Sequence, residues 1–178
     1  STIGHVGYML IGLAAGTEVG VRGLLIYLTA YVFMYLGTFA LILAMRRRGR
    51  AVETIADLAG LGRSDPAMAM GFAIFMFSMA GIPPFSGFWA KYFIFTAAVQ
   101  QGMWVLAVIG VLTSVIGAFY YIRIIKVIYF DSSDLAFDPR PASLSFAAAV
   151  GGLFTTFFFL YPAPLVAAAE AAAKVLFG

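Results

Sequence analysis

The feature that most constrains this chain is an apolar stretch, residues 67–99, that contains two adjacent prolines and one charged side chain, Lys91. A hydrophobic run of this length is typical of a helix that crosses a membrane. Pro83 and Pro84 have no backbone N–H and therefore interrupt a helix. A broken helix is tolerated at membrane depth only where the freed backbone lines a cavity or is buried in protein. The stretch predicts a discontinuous transmembrane helix with a lysine close to its break.

The rest of the chain has the composition of a membrane protein. Hydrophobic residues make up 63% of it and charged residues 11%, whereas a soluble domain carries about 25% charge. We predict an all-α integral membrane protein that forms a single transmembrane unit over residues 1–178. The predicted spans are residues 2–15, 23–45, 67–99 with a break at 81–84, 103–130 and 142–161, followed by a C-terminal helix at about 165–177. The pattern also indicates a polar turn at 18–22, a short interfacial helix at 52–61 and a polar loop at 131–141.

The basic residues predict how these spans are oriented. With alternating spans, one side holds Arg46, Arg47, Arg48, Arg50, Arg63, Arg123, Lys126 and Arg140, and the other holds Arg22 and Lys174. The positive-inside rule then places loops 46–66 and 131–141 in the cytoplasm and the C-terminus on the opposite side. The run Arg46–Arg50 also has the composition of a lipid-headgroup or nucleic-acid patch, but its role in setting topology is the favoured interpretation.

Several classes of function are excluded or disfavoured by composition. The chain has no cysteine, which excludes disulfides and cysteine-ligated iron–sulfur clusters within it. One histidine and eight acids, nearly all outside the apolar runs, argue against a metal site. No glycine-rich phosphate loop follows a strand, and the net charge of +3 is too small to indicate nucleic-acid binding. We therefore predict no cofactor-binding or metal-binding residue in this chain.

Lys91 is the strongest candidate for a functional residue. It precedes Gln100 by nine residues, which is about 13 Å along a helix and close to the membrane midplane. Desolvation disfavours the ammonium relative to the neutral amine, so proton exchange becomes easier. The alternative is a static ion pair, but no acid lies within the apolar runs to supply one. Because intramembrane charge is scarce and usually functional, we favour a titratable lysine.

Two further residues are candidates for a proton relay, His5 and Tyr31. His5 is the only histidine and lies in the first span; its imidazole suits a relay, and the alternative is a neutral ring bonded to a carbonyl. Tyr27, Tyr31 and Tyr35 recur every four residues and share a helix face. Packing is their default role, and Tyr31, nearest the middle, is the best relay candidate. Other polar points on the fourth span are Thr113, Ser114, Tyr120 and Tyr121. Of these residue types, Ser and Thr commonly bond to their own helix.

Two segments resemble the antiporter-like membrane subunits of respiratory complex I. Ser1-Thr-Ile-Gly-His-Val-Gly-Tyr8 is similar to their Ser-Ser-Ile-x-His-x-Gly-Tyr segment. Residues 77–95 are similar to their discontinuous helix, including Gly-Ile-Pro, Gly-Phe and a lysine four residues after that Gly. Position 91 is lysine rather than glutamate, and the sequence ends at Gly178 without a long lateral helix. Both features indicate the branch of the family that has a lysine at this position and no lateral helix. The first residue, Ser1, lies almost inside an apolar segment, so we expect the chain to be the C-terminal part of a longer protein.

The resemblance implies a fold and a site. The family has fourteen transmembrane helices with two inverted five-helix repeats, and this chain is similar to helices ten to fourteen. Lys91 is implied as the proton-exchanging lysine of the second half-channel, with His5 and Tyr31 as polar links. The break is implied at Gly81, Pro83, Pro84 and Gly87. We expect unpaired carbonyls near Ala80 and Gly81 and free amides near residues 85–87.

The resemblance also implies partners and a location. The expected function is that of a proton-translocating subunit of NADH:quinone oxidoreductase in the bacterial inner membrane, with its C-terminus in the periplasm. NADH, FMN, iron–sulfur clusters and quinone are expected in partner subunits, with no redox centre in this chain. Expected partners are other complex I membrane subunits, including neighbouring antiporter-like subunits, the missing N-terminal helices and lipids. The alternatives are a subunit of a multi-subunit sodium/proton antiporter and a non-transporting membrane scaffold.

Overall fold

The computed structural model describes residues 1–132 and 137–177 and is helical apart from one small hairpin. The helices are α1 (Thr2–Ala14), α2 (Glu18–Ala44), α3 (Leu61–Ser64), α4 (Pro66–Ala80), α5 (Ser86–Gln100), α6 (Trp104–Phe130), α7 (Ala142–Phe157) and α8 (Ala163–Phe177), with 3-10 turns at Ile55–Leu58 and Phe158–Leu160. Strands β1 (Arg46–Arg47) and β2 (Arg50–Ala51) pair antiparallel, with Arg46 opposite Ala51. Four residues of the predicted loop at 131–141, residues 133–136, lie outside the described ranges.

Within residues 1–132 and 137–177, three helical segments are long and apolar enough to cross a membrane: α2, α6 and residues 142–160, which join α7 to its 3-10 turn. The helices α1 and α4 are shorter and apolar. The helices α4 and α5 follow each other around residues 81–85, so the predicted discontinuous helix is present as two half-helices. The prediction of an all-α membrane fold with one broken helix therefore agrees with the structure.

Two local expectations were wrong. Residues 18–22 are not a separate turn, because α2 begins at Glu18. The Oγ1 of Thr17 accepts a hydrogen bond from the Gly20 N–H, and Glu18 lies in the first turn, where the helix dipole favours an acid. Residues 52–61 do not form one helix, since a 3-10 turn and α3 are separated at Gly60, whose φ of 74° is left-handed.

The central helix of the bundle is α2, which packs against α1, α4, α5, α7 and α8. Its buried side chains include Tyr27 and Met34, which belong to the apolar core that also contains side chains of both half-helices. By contrast, the outer face of α6 exposes large apolar side chains such as Val105, Ile116 and Phe119. Such a face suits contact with lipid or with other protein helices. The buried polar or charged side chains among the described residues are His5, Thr38, Ser78, Ser86, Lys91 and Thr155, and those around Lys91 and His5 form the candidate site.

The loops at the basic end of the bundle are tied together. The Asp138 carboxylate accepts hydrogen bonds from the backbone N–H groups of Arg48 at 3.0 Å and Gly49 at 2.8 Å. The Arg47 guanidinium lies 3.4 Å from the Asp57 carboxylate and 4.6 Å from the centre of the Phe137 ring. These contacts fix the β1–β2 hairpin against the segment that leads into α7.

Candidate functional site

A Schellman motif at the end of α4 provides hydrogen-bond donors for two of the last four carbonyl groups of the helix. Gly81 adopts a left-handed conformation with a φ of 86°. Its N–H donates to the Ser78 carbonyl at 2.9 Å, and the Ile82 N–H donates to the Phe77 carbonyl at 3.0 Å. A left-handed residue at this position favours glycine because it has no Cβ. Half of the unpaired carbonyls at this helix end are thereby satisfied.

The other two carbonyls, those of Met79 and Ala80, are left free by the two prolines. In a continuous helix they would accept from the N–H groups of residues 83 and 84. Both of those residues are proline and have no N–H. The Lys91 Nζ takes their place, donating to the Met79 carbonyl at 2.9 Å and to the Ala80 carbonyl at 3.4 Å.

The start of α5 is held against the end of α4. The Gly87 N–H donates to the Ser78 Oγ at 2.9 Å, and Gly87 lies so close to the Ser78 carbonyl that a Cβ would overlap it. The two half-helices thus lie side by side at the break. Lys91 is four residues after Gly87 and so shares its helix face, which directs the lysine toward α4.

The surroundings of the Lys91 amine are neutral. The side chain is buried, with 7% of it exposed. Its Nζ donates to the Ser114 Oγ at 2.7 Å and lies 5.2 Å from the centre of the Tyr8 ring, a distance at which an aromatic face attracts a cation. None of the salt bridges within the described part of the chain involves Lys91. A static ion pair therefore has no acidic partner among residues 1–132 and 137–177.

His5 lies on α1, with 2% of its surface exposed. Its Nδ1 is 2.8 Å from the Tyr27 hydroxyl and its Nε2 is 3.0 Å from the Tyr121 hydroxyl. Tyr31 packs beside the imidazole, with ring centres 5.5 Å apart. Both ring nitrogens are thus bonded by Tyr27 and Tyr121, on α2 and α6, rather than by the hydroxyl of Tyr31.

The polar groups continue from His5 in one direction toward the exposed Ser1. The Ser1 Oγ is 2.5 Å from the Tyr121 hydroxyl and 2.7 Å from the Tyr35 hydroxyl. In the direction of Lys91, the Tyr8 hydroxyl is 3.4 Å from the Thr113 Oγ1. Hydroxyl groups from α1, α2 and α6 therefore surround the only histidine.

Two cavities meet at Lys91. The first, here called the His5 cavity, has a volume of about 110 Å³ and is lined by His5, Tyr8, Lys91, Thr113, Ser114 and Tyr121, among others. The second, the Gln100 cavity, lies between α5 and α6, has a volume of about 560 Å³ and runs from Ala80 and Gly81 past Lys91 and Ser114 to Thr96 and Gln100. Apart from these residues its lining is largely apolar.

The structure brings some of the expected site residues together and adds others. Lys91 and His5 share one cavity, and of the break residues Gly81 lies against the lysine, since a Cβ there would come within 3.2 Å of the Lys91 side chain. Tyr31 is in contact with His5 but does not line that cavity.

Sequence reasoning placed the free carbonyls one residue too late, at Ala80 and Gly81 instead of Met79 and Ala80. Subtracting four from each proline position would have located them. The expected free amides near residues 85–87 are in use, because Phe85 donates to the Ile82 carbonyl and Gly87 to Ser78. Ser114 was named only as a polar point whose side chain commonly bonds its own helix, and the sequence gives no local signal that it faces the lysine.

A metal site finds no support within the described ranges. No group of three or more His, Cys, Asp or Glu side chains comes together there.

Comparisons with known proteins were made for both sequence and structure. A family model described as "NADH:quinone oxidoreductase/Mrp antiporter, TM" matches residues 1–117.

Several similar sequences are named as one subunit of a membrane enzyme. The NADH-quinone oxidoreductase subunit N of Granulibacter bethesdensis is 63% identical over 99% of this chain and 38% of that protein. The subunit N proteins of Azorhizobium caulinodans and Methylobacterium nodulans are 60% and 54% identical, each over 99% of this chain and 37% of their own length. The chain thus spans less than two fifths of the length of these relatives.

Similar solved structures are membrane assemblies. A chain of respiratory complex I from Thermus thermophilus with bound aureothin superposes with a TM-score of 0.79 at 29% identity, covering 93% of this chain and 37% of that one. A chain of the Mrp complex from Dietzia sp. DQ12-45-1b gives a TM-score of 0.76 at 22% identity, covering 95% and 40%. The second likeness shows that the fold is shared.

Proposed function

The chain belongs to the NADH:quinone oxidoreductase/Mrp antiporter transmembrane family, and on that premise we propose that it is part of a proton-translocating membrane subunit of an NADH:quinone oxidoreductase. The relatives that are 63% and 60% identical to it carry the name of subunit N of that enzyme. The resemblance of residues 1–8 and 77–95 to antiporter-like subunits is in accord with this family.

In this proposal Lys91 is the proton-exchanging residue of the second half-channel. The observation that supports it is the set of neutral partners around the amine: two backbone carbonyls and the Ser114 hydroxyl. Without a fixed carboxylate from residues 1–132 and 137–177, no strong charge of this chain holds the lysine permanently in its ammonium form. The carbonyls nevertheless provide acceptors for that form, so both protonation states have a place in the site.

His5 is proposed to relay protons to and from the cavity that it shares with Lys91. The hydroxyls of Tyr27 and Tyr121 extend the hydrogen-bonded chain from its two ring nitrogens. The Tyr31 ring packs beside His5, and its hydroxyl is proposed as a further link in the relay. The break residues Gly81, Pro83, Pro84 and Gly87 hold the carbonyls in position.

Replacing Lys91 by methionine in the complete oxidoreductase is expected to reduce the number of protons moved for each NADH oxidised. Methionine keeps the length of the side chain and its apolar contacts but cannot carry a proton. The measurement is acidification of inverted membrane vesicles, normalised to NADH:quinone activity. The control is Lys174→Met, because Lys174 is an exposed lysine that pairs with Glu170 at 2.9 Å. Undiminished pumping in both the Lys91→Met and His5→Phe variants would favour a non-transporting scaffold instead.

The proposed partners are the other membrane subunits of the complex, including neighbouring antiporter-like subunits, together with lipids and the remainder of the same subunit. NADH, FMN, the iron–sulfur clusters and quinone are assigned to partner subunits, and no redox centre is assigned to this chain. The exposed apolar face of α6 is available for such contacts.

The proposed location is a bacterial inner membrane, with residues 46–66 and 131–141 in the cytoplasm and the C-terminus in the periplasm. Eight basic side chains against two support this orientation. In a full-length subunit from which any cysteine outside this chain has been removed, single cysteines at the exposed positions Ala51 and Gln101 can be labelled from either side of the membrane. We expect a membrane-impermeant maleimide to reach Gln101→Cys from the periplasm and Ala51→Cys only in inverted vesicles. The reverse pattern would invert the orientation.

A subunit of a multi-subunit sodium/proton antiporter is the second candidate, since the matching family description names Mrp antiporters and the Dietzia structure shares the fold. Affinity purification of the full-length protein from its own membranes separates the two. Co-purification of flavin and iron–sulfur subunits supports the oxidoreductase, whereas their absence together with sodium-dependent proton uptake supports the antiporter.

A further inference from the structure

Ser114 is the only side chain that hydrogen-bonds the Lys91 amine within the part of the chain that the structure describes. Its Oγ lies 2.7 Å from Nζ, and the other two partners are the backbone carbonyls of Met79 and Ala80. The neighbouring residue differs in this respect, because the Thr113 hydroxyl donates to the Gly110 carbonyl of its own helix at 2.9 Å. Ser114 is thus directed at the lysine.

The three partners of Lys91 are not chemically equivalent. A carbonyl oxygen only accepts hydrogen bonds, whereas a serine hydroxyl donates one and accepts others. The three N–H groups of a protonated Lys91 match the three acceptors around it. The neutral amine has two N–H groups and a lone pair, so the carbonyls of Met79 and Ala80 keep their bonds and the Ser114 hydroxyl turns to donate to the lone pair. Of the three partners, Ser114 alone can both receive a proton from the amine and return one.

Ser114 also lies where the two cavities meet. Both it and Lys91 line the His5 cavity and the Gln100 cavity. At about 30 Å³ for each water molecule in the liquid, the smaller cavity has room for about three. The Ser114 hydroxyl therefore borders the open space on both sides of the lysine.

We propose that Ser114 is the proton-transfer residue of Lys91 and passes protons between its amine and water in either cavity, an inference that rests on the proposed role of Lys91. In the outward step an N–H bond of the Lys91 ammonium breaks and an O–H bond forms at the Ser114 Oγ. At the same time the original O–H bond of Ser114 breaks, and that proton passes to a water molecule in the cavity. Rotation of the hydroxyl selects the cavity that receives the proton.

The test compares Ser114→Val with Ser114→Thr in the complete oxidoreductase. Valine and threonine have nearly the same shape, and only threonine keeps a hydroxyl. We expect Ser114→Val to lower the protons moved per NADH to the level of Lys91→Met, and Ser114→Thr to keep most of the parental value. Thr29→Val is the control, because the Thr29 hydroxyl donates to the Leu25 carbonyl of its own helix at 2.9 Å and Thr29 lines neither cavity, so its loss is expected to leave pumping near the parental value.

The pH dependence provides a second readout that a packing role would not change. With the hydroxyl removed, proton release depends on water reaching the amine directly, so the pH profile of pumping should shift in Ser114→Val and not in Ser114→Thr. Should the branched side chains prevent assembly, Ser114→Ala and Ser114→Cys form a smaller pair, in which only cysteine keeps a donor.

Equal pumping and equal pH profiles in the valine and threonine variants would overturn the role of Ser114, provided that Lys91→Met lowers pumping. If Lys91→Met itself leaves pumping unchanged, the proposed function fails, and the inference fails with it. The two failures are therefore distinguishable in one set of measurements.

Discussion

Replacing Gly87 by alanine is expected to lower strongly the amount of assembled subunit in the membrane. The Cβ of alanine would overlap the Ser78 carbonyl oxygen and also approach the Ser78 Oγ to 3.0 Å. A backbone oxygen cannot turn away as a side chain can, so the half-helices must separate. Overpacking of an interior typically costs about 1–3 kcal/mol, and a clash with backbone belongs at the upper end of that range. Alanine is otherwise the better helix former by about 1 kcal/mol, so a loss of protein must come from the contact.

The amount of assembled complex in membranes and its rate of thermal inactivation measure this effect. Gly152→Ala is the matched control, because its new Cβ would meet nothing closer than the Phe75 ring at 3.9 Å. Normal assembly of Gly87→Ala alongside Gly152→Ala would mean that α4 and α5 do not approach each other as the structure shows.

Replacing both Pro83 and Pro84 by alanine is expected to lower proton pumping at least as strongly as Lys91→Met. Alanine restores the two N–H groups that a helix directs at the carbonyls of Met79 and Ala80. Those donors compete with Lys91, whose amine now bonds both carbonyls. The lysine then loses two of its three partners, and its protonated form becomes more costly at the same depth.

Pro66→Ala is the control for this double replacement. Pro66 is the first residue of α4, where the N–H has no partner within the helix, so alanine there adds no donor that competes with Lys91 for the carbonyls at the break. Pumping is measured relative to NADH:quinone activity, which corrects for differences in the amount of complex. Full pumping in the double variant would show that the free carbonyls at the break are not needed for proton exchange.

Much of the architecture could be predicted from the sequence. The apolar runs indicated the helices, and two adjacent prolines within residues 67–99 indicated a break. Errors occurred where a polar sequence was taken for a turn, as at residues 18–22, which are the first turn of α2. The local pattern failed there because Thr17 caps the helix and Glu18 favours its start, so polar side chains extend a helix that apolar content alone would begin later.

The site was predictable in part. A lone lysine at membrane depth can be recognised from the sequence, because placing a charge there is unfavourable and usually has a function. The two prolines determine which carbonyls are free, because helical hydrogen bonds join residues four apart. The partners of His5 could not be predicted, since Tyr27 and Tyr121 lie 22 and 116 residues away in the chain. The regular spacing of Tyr27, Tyr31 and Tyr35 placed all three on one face but could not show which hydroxyl reaches the imidazole.

The sequence by itself determined a membrane protein with a broken helix and one buried amine near the break, because hydrophobicity, missing N–H groups and charge are properties of the residues. The tertiary structure alone decided that Ser114 faces this amine and that two cavities meet there. Those facts depend on how α5 and α6 are rotated and how far apart they lie, and that is set by packing across the whole bundle rather than by any local pattern.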